Sequence, residues 1–353
     1  MPYPDLTPSP DFDRLKAVFA RGVPDRVPFI ELFLDEEIMA AVREAPFSPD
    51  PEARAAEMAQ LYLRLGYDYL PTGAAFGFPH RTLAAADTAA LARAERSWVD
   101  EAHGAVETWE DFERYPWRKP TGEDYLPLEH AAKALPEGMK LIPHGPGGML
   151  ENLMWLMGYE PMSYALAEHP DLIQAMCLRI GETLVSVFDA LASHDAVGAV
   201  FLGDDMGFKT QTMISPDALR QYIFPWQRRL AQAVHSHGKP FLLHSCGMLD
   251  LVMDDLIEHV GIDAKHSFED VITPIAEAKQ RWGHRIALLG GIDMDLLCRA
   301  TPDQVRARTR QVLEACMPGG GFALGSGNTV ANYVPLENYF AMLEEGWRLG
   351  AYA

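Results

Sequence analysis

Short apolar runs recur along the chain, and each is followed by a longer segment carrying helical punctuation. The runs fall at residues 27–32, 67–71, 140–145, 198–203, 240–244, 262–266, 285–290 and 321–325. Several are nearly continuous in apolar residues, which is the mark of parallel strands covered by helices on their outer face. Ser215, Pro216 and Asp217 read as an N-cap, a proline in the first helical position and an acid in the first turn. Thr301, Pro302 and Asp303 repeat that signature, and Thr273 with Pro274 gives a third example. Gly238 and Gly261 stop helices just before the next apolar run. Strand, helix, glycine stop and strand again is the βαβ rhythm, and eight such strands predict a (β/α)8 TIM barrel of class α/β.

A chain of 353 residues is long enough for two domains, but a barrel of this size is ordinary, so residues 1–353 are read as one domain. The stretch from about 73 to 139 does not fit one strand–helix unit. Its alanine-rich part, 82–97, and its aromatic and acidic part, 109–117, predict a helical insertion after the second strand. Such an insertion either caps the barrel mouth or packs on the side.

The chain holds 50 acidic and 30 basic residues, a formal charge of -20, which argues against a nucleic-acid partner. No apolar stretch approaches the roughly 20 residues that span a bilayer, and the polar, proline-rich start does not read as a secretory signal. A cytoplasmic location is the expectation. The four cysteines, Cys177, Cys246, Cys298 and Cys316, are too scattered for a disulfide framework.

In a barrel the chemistry gathers where strands end and the following loops begin. Those positions are occupied by Glu31, Thr72, His144, Asp204 with Asp205, His244 with Cys246, His266 with Glu269, Asp293 and Asn328. His244 and Cys246, two residues apart in an extended segment, project to the same side, and a nitrogen beside a sulfur suits zinc. A third ligand is expected to be an oxygen donor: Glu269 or Glu31 first, Asp204 and Asp205 behind them. The other cysteines fall in helices or at helix ends and are read as structural. Asp204 and Asp205 are candidates to position a base, bind a cation or cap the next helix. His144 and His266 are candidates for acid–base work or for hydrogen-bonded wall positions. Gly290, Gly291, Ile292 and Asp293 leave room for a bulky ligand, so Gly291 and Asp293 join Glu31 and Asn328 as candidate cofactor contacts. The glycine runs at 145–148 and 319–321 lack the spacing and lysine of a nucleotide loop.

These motifs together resemble the uroporphyrinogen decarboxylase superfamily, and within it the branch of cobalamin-dependent methyltransferases. The resemblance rests on Pro24 to Pro28, Gly203 to Gly207, His244 to Gly247, Gly290 to Asp293, Gly319 through Asn328 and Pro335 to Tyr339, in order and spacing. It implies a (β/α)8 barrel and, in the methyltransferase branch, a zinc held by His244, Cys246 and a later cysteine. Asn328 stands about where that cysteine would be, a departure from the family pattern. The decarboxylase branch carries an arginine pair near its N-terminus, and here the matching stretch reads VPFIELF. No Asp-x-His-x-x-Gly corrinoid motif occurs, so the methyltransferase resemblance implies a separate corrinoid protein as partner, with a small-molecule methyl donor or acceptor. Tetrapyrrole decarboxylation without cofactor, with Asp204 or Asp205 acting on a pyrrole, and a non-catalytic tetrapyrrole binder are the alternatives. A homodimer is left open.

Overall fold

The computed structural model describes residues 3–89, 91 and 95–352. Three helices, α1 (Asp13–Phe19), α2 (Glu36–Arg43) and α3 (Pro51–Arg64), surround the first expected strand run and lead into β1 (Tyr69–Gly73). An antiparallel pair, β2 (Thr82–Ala86) and β3 (Glu95–Val99), comes next, followed by α4 (Trp109–Arg114) and α5 (Leu126–Ala134). Then β4 (Lys140–His144), α6 (Met149–Met157), α7 (Tyr159–Glu168), α8 (Pro170–Ser193) and β5 (Val200–Gly203) follow in turn. A short α9 (Pro216–Ala218) passes through a π-helical turn, Leu219–Ile223, into α10 (Phe224–Ser236). The remainder runs β6 (Phe241–His244), a π-helical segment Asp255–Val260, β7 (Ala264–His266), α11 (Ile275–Trp282), β8 (Ala287–Ile292), α12 (Met294–Arg299), α13 (Pro302–Cys316), β9 (Phe322–Ser326) and α14 (Leu336–Leu349).

Seven strands form one parallel sheet in the order β1-β4-β5-β6-β7-β8-β9. Strands β6, β8 and β9 are buried along their whole length, which explains their unbroken apolar runs. Residues 27–32 take the eighth position but do not form a regular strand. Ile30 N–H donates to the Leu324 carbonyl at 2.9 Å, and Leu324 N–H donates to Pro28 at 3.0 Å, tying the run to β9. On its other side the Tyr69 hydroxyl donates to the Glu31 carbonyl at 2.8 Å and accepts from the Glu31 N–H at 2.9 Å. Pro28 has no N–H to give, and a tyrosine side chain replaces backbone pairing along this edge. The architecture is that of a (β/α)8 barrel closed partly by side-chain bonds.

The insertion meets the helical expectation in α4 and α5 and departs from it in the alanine-rich part. The alanine-rich stretch is a hairpin, pairing Thr82 with Val99 and Ala86 with Glu95, and residues 90 and 92–94 of that stretch lie outside the described residues. Alanine favours helix by well under ~1 kcal/mol per residue, and this segment offers no apolar stripe for a helix to bury. The hairpin is tied instead to the loop after β9. Arg96 donates to Asn332 Oδ1 at 2.8 Å, while the Asn332 amide donates to Asp87 at 2.6 Å and to the Leu91 carbonyl at 3.0 Å. The aromatic stretch 109–117 packs on itself: the Trp117 ring centroid lies 4.5 Å from that of Tyr115 and 5.4 Å from that of Phe112.

Helix punctuation mostly holds. Ser215 Oγ accepts from Ala218 N–H at 3.1 Å, Thr301 closes a capping box with Gln304, and Gly261 adopts φ +83 at its helix end. Thr273 does not cap α11; its hydroxyl donates to Asp250. Among the described residues no helix is long and apolar enough to cross a membrane.

Candidate metal centre

His244 ends β6, and His266 ends the adjacent β7 in register with it. The two rings meet Nδ1 to Nδ1 at 2.8 Å, and His266 Nε2 lies 3.0 Å from the Ser326 carbonyl on β9. A carbonyl only accepts, so His266 Nε2 carries a proton. Burial holds both rings neutral, pushing His244 down to about 3 and His266 well below the ordinary imidazole range. His266 Nδ1 is therefore a lone pair, His244 Nδ1 is the donor between the rings, and His244 Nε2 is left with a free lone pair. That lone pair faces Cys246 Sγ at 3.4 Å and Asp205 Oδ1 at 3.6 Å.

Asp205, His244 and Cys246 are the one group of three ligating side chains found among the described residues with donor atoms all within 4.8 Å of one another. Asp205 is the third member of this group, the position for which Glu269 or Glu31 was the first expectation. Glu269 is turned to the Gly247 N–H, which donates to it at 3.2 Å. Glu31 is buried against Ser326. Sequence order ranked Asp205 low because nothing local shows how closely the loops after β5 and β6 approach. They meet through two glycines: a Cβ on Gly247 would lie 2.2 Å from Gly207 backbone atoms, and Gly247 has φ +83. The contact brings the Cys246 N–H to Asp205 Oδ1 at 2.7 Å and the Met206 N–H to Ser245 Oγ at 3.1 Å.

The sulfur has two further neighbours. Ser267 Oγ donates to it at 3.4 Å and the Asn328 amide at 3.2 Å. Both favour a thiolate, whereas burial pushes the Cys246 thiol up to about 12. Ser267 holds φ +81, uncommon for a residue with a side chain. Lys265 secures that turn: its ammonium donates to the carbonyls of Ser245, His266 and Ser267 at 3.1, 3.3 and 2.6 Å. Burial draws Lys265 down to about 8. Lys265, Ser267 and Ser326 were not singled out from sequence; a lysine inside an apolar strand run was the one signal available.

The donor set fits zinc. Nitrogen, sulfur and carboxylate oxygen are its protein ligands, three of them leave a tetrahedral position open, and the second nitrogen of the histidine is hydrogen-bonded as zinc-binding imidazoles usually are.

Asp204 has a different place from its neighbour. Its carboxylate is fully buried and accepts the N–H groups of Met149, Leu150 and Glu151 at 2.9 to 3.0 Å and the Gln227 amide at 2.7 Å. It therefore caps α6, an earlier helix, where the sequence suggested the next one. Burial raises Asp204 to about 6, and it raises the adjacent Glu151 to about 8 with help from the charge of Asp204. His144 stacks on Phe201 at 5.2 Å, its Nε2 buried without a partner, and burial pushes it down to about 4. Asp293 caps α12 through Asp295 N–H at 2.8 Å and also accepts from Asp270 N–H at 2.8 Å. Gly291 holds φ +109 where a Cβ would meet Ile275. Thr72 lies on β1 opposite Pro143 of β4.

A cavity of about 1050 Å³ adjoins the centre, reaching it through Ser267 and Asn328. Its wall includes Glu269, Asp293, Met294, Leu296, Lys209 and Tyr333.

The family model described as Uroporphyrinogen decarboxylase (URO-D) matches residues 128–346, and the chain belongs to that family. Among curated proteins it is 31% identical over 131 residues to uroporphyrinogen decarboxylase of Syntrophotalea carbinolica, covering 36% of this chain and 35% of that one. It is 30% identical over 145 residues to the enzyme of the same name from Shewanella loihica, covering 39% of each. The chain thus spans under half the length of these two relatives in the matched parts. Among solved structures, a methyltransferase from Methanosarcina mazei superposes with a TM-score of 0.70 at 18% identity, covering 94% of this chain and 97% of that one. That likeness shows a shared fold.

Proposed function

We propose that the protein is a zinc-assisted methyltransferase that moves a methyl group between a small substrate and a corrinoid carried by a separate protein. The observation that carries the reading is the convergence of Asp205, His244 and Cys246 with a lone pair on His244 Nε2 already aimed at the gap between them. Bound there, zinc would lower the pKa of a substrate thiol or polarise an ether oxygen, making methyl transfer feasible near neutral pH. The chain's own groups do the rest. The histidine pair fixes the Nε2 lone pair, Ser267 and Asn328 hold the Cys246 sulfur in place, and the adjacent cavity has volume for a small substrate. Exposed Phe33, Phe208, Val271 and Tyr333, in the loops that follow the strands, supply apolar surface for a docking corrinoid protein. Cobalamin enters this reading only with that partner.

The test is metal analysis of protein purified without chelator, paired with a spectroscopic assay for methyl transfer from methylcobalamin to added thiols. About one zinc per chain, lost in Cys246→Ala together with turnover, is the expected result. A metal-free protein whose activity survives that substitution overturns the reading.

Tetrapyrrole decarboxylation is the second reading, favoured by the name of the curated relatives. Against it stand the four donors that occupy Asp204 and the absence of arginines from residues 27–33. Incubation with uroporphyrinogen, followed by a count of carboxyl groups, separates the two; unchanged substrate removes this one. Tight tetrapyrrole binding with no turnover of any substrate would point instead to a binding protein.

A further inference from the structure

Glu31 lies at the inner end of a hydrogen-bonded chain whose outer end is the Cys246 sulfur. Its side chain is fully buried. The Ser326 N–H donates to Glu31 Oε1 at 2.8 Å, and the Ser326 hydroxyl makes a short contact with Oε2. The same hydroxyl lies 2.9 Å from the Asn328 carbonyl, and the Asn328 amide donates to Cys246 Sγ at 3.2 Å.

Counting protons sets the direction of the chain. The Asn328 carbonyl has no proton, so Ser326 must donate to it, and a serine hydroxyl has only one proton to give. The contact between Ser326 Oγ and Glu31 Oε2 is then a hydrogen bond only if the proton comes from Glu31.

We propose that Glu31 is a positioning residue kept as a neutral carboxylic acid, whose O–H fixes Ser326 and, through it, presents the Asn328 amide to the Cys246 sulfur.

The surroundings agree. Facing Glu31 are the phenols of Tyr62 on α3, Tyr67 and Tyr69 at β1, and Tyr339 on α14. His266 lies beyond Ser326 and His144 bonds to the backbone of Leu32; both are neutral rings. Among the described residues no lysine or arginine is ion-paired with Glu31. Burial accordingly raises it to about 8, against an ordinary value of 4.5. Gly325 lets the strands close on the network, since a Cβ there would lie 1.7 Å from the Ile30 carbonyl and 3.1 Å from Glu31 Oε1. An ionised Glu31 would draw the Ser326 proton to itself and leave the Asn328 carbonyl without its donor.

Glu31→Gln reproduces the neutral acid, because its amide N–H can donate to Ser326 Oγ while its oxygen accepts from Ser326 N–H. The test uses the full chain without added metal. At pH 7 an infrared difference between wild type and Glu31→Gln is expected to show the loss of one protonated carboxylic C=O stretch. Loss of a carboxylate band instead overturns the proposal. The folded-state pKa of Glu31 lies above its unfolded value, so its stabilising contribution is full below about 4.5 and fades as pH rises to about 8. Wild-type Tm minus variant Tm is expected to fall by roughly 2 °C per pH unit across that window; a flat difference overturns the proposal. The positioning role is read from the Asn328 side-chain amide NMR signal, identified by its absence in Asn328→Ala. It is expected to shift through the alkaline transition in wild type and to stay fixed in Glu31→Gln; no shift in wild type overturns the role. Should Glu31→Gln not fold, Ser326→Ala serves the infrared test. Its carboxylic C=O stretch moves to higher frequency as the bond to Oγ is lost, and an unmoved band overturns the proposal. None of these readouts needs metal or turnover, so they can fail while the methyltransferase reading stands, and the reverse.

Discussion

His266 orients His244: their Nδ1 atoms meet at 2.8 Å, and the bond from His266 Nε2 to the Ser326 carbonyl decides which nitrogen of each ring carries a proton. The consequence is a ligand nitrogen whose lone pair points into the centre before any metal arrives. Replacing His266 by phenylalanine keeps a ring in the space and removes the acceptor for His244 Nδ1–H. Zinc affinity is expected to fall by about 10- to 100-fold while the fold is retained, as for other partners of metal-bound histidines. Competition with a zinc chelator measures it; unchanged affinity would contradict the proton assignment.

Asp204 and Asp205 are adjacent in sequence but separate in role. Asp204→Ala strips a buried acceptor from three N–H groups of α6 and from Gln227, and should cost about 3 kcal/mol or more in denaturant unfolding. Asp205→Ala, at a partly exposed site, should cost little stability and weaken zinc binding instead. If the two variants exchanged these effects, the assignment of cap and ligand would be reversed.

The loops after β5 and β6 touch through Gly207 and Gly247. Gly247→Ala places a Cβ 2.2 Å from Gly207 backbone and holds alanine at φ +83, so Asp205 and Cys246 must separate. Strain of about 1–3 kcal/mol is expected. Circular dichroism should show a folded barrel with lowered Tm, and zinc content well below that of wild type.

Acid should destabilise the metal-free protein in a defined window. Burial depresses the folded-state values of His144 to about 4 and of His244 to about 3, and holds His266 well below the ordinary 6.5. The unfolded chain takes up protons first, so stability is intact above pH 6.5 and is lost as pH falls, at roughly 1.4 kcal/mol per pH unit for each ring. His144→Phe removes an unpartnered buried nitrogen together with the ring's bond to the Leu32 backbone and keeps the stack on Phe201; whatever its stability at pH 7, it should lose stability less steeply than wild type between pH 6 and 4. Chemical denaturation at stepped pH measures both slopes.

The barrel strands and the pairing of His244 with Cys246 were legible in the one-dimensional pattern. Strand burial writes itself as apolar runs, and side-chain alternation along an extended segment is a local property. The pairing of β2 with β3 is not legible in the sequence, because alanine content speaks weakly for helix and the partner that holds this segment, Asn332, lies far along the chain. The run at 27–32 also needed tertiary information, since the bonds that stand in for strand pairing come from a tyrosine side chain.

What the sequence determined by itself was the strand–helix alternation, the end of the barrel where polar groups gather, and two of the three residues of the candidate metal centre. The fold alone decided that Asp205 joins them, that Asp204 caps a helix, and which donors and acceptors Ser326 and His266 bring together. Those depend on distances between loops and on which donors meet which acceptors across separate strands. Such relations are set when the sheet closes, and no spacing along the chain encodes them.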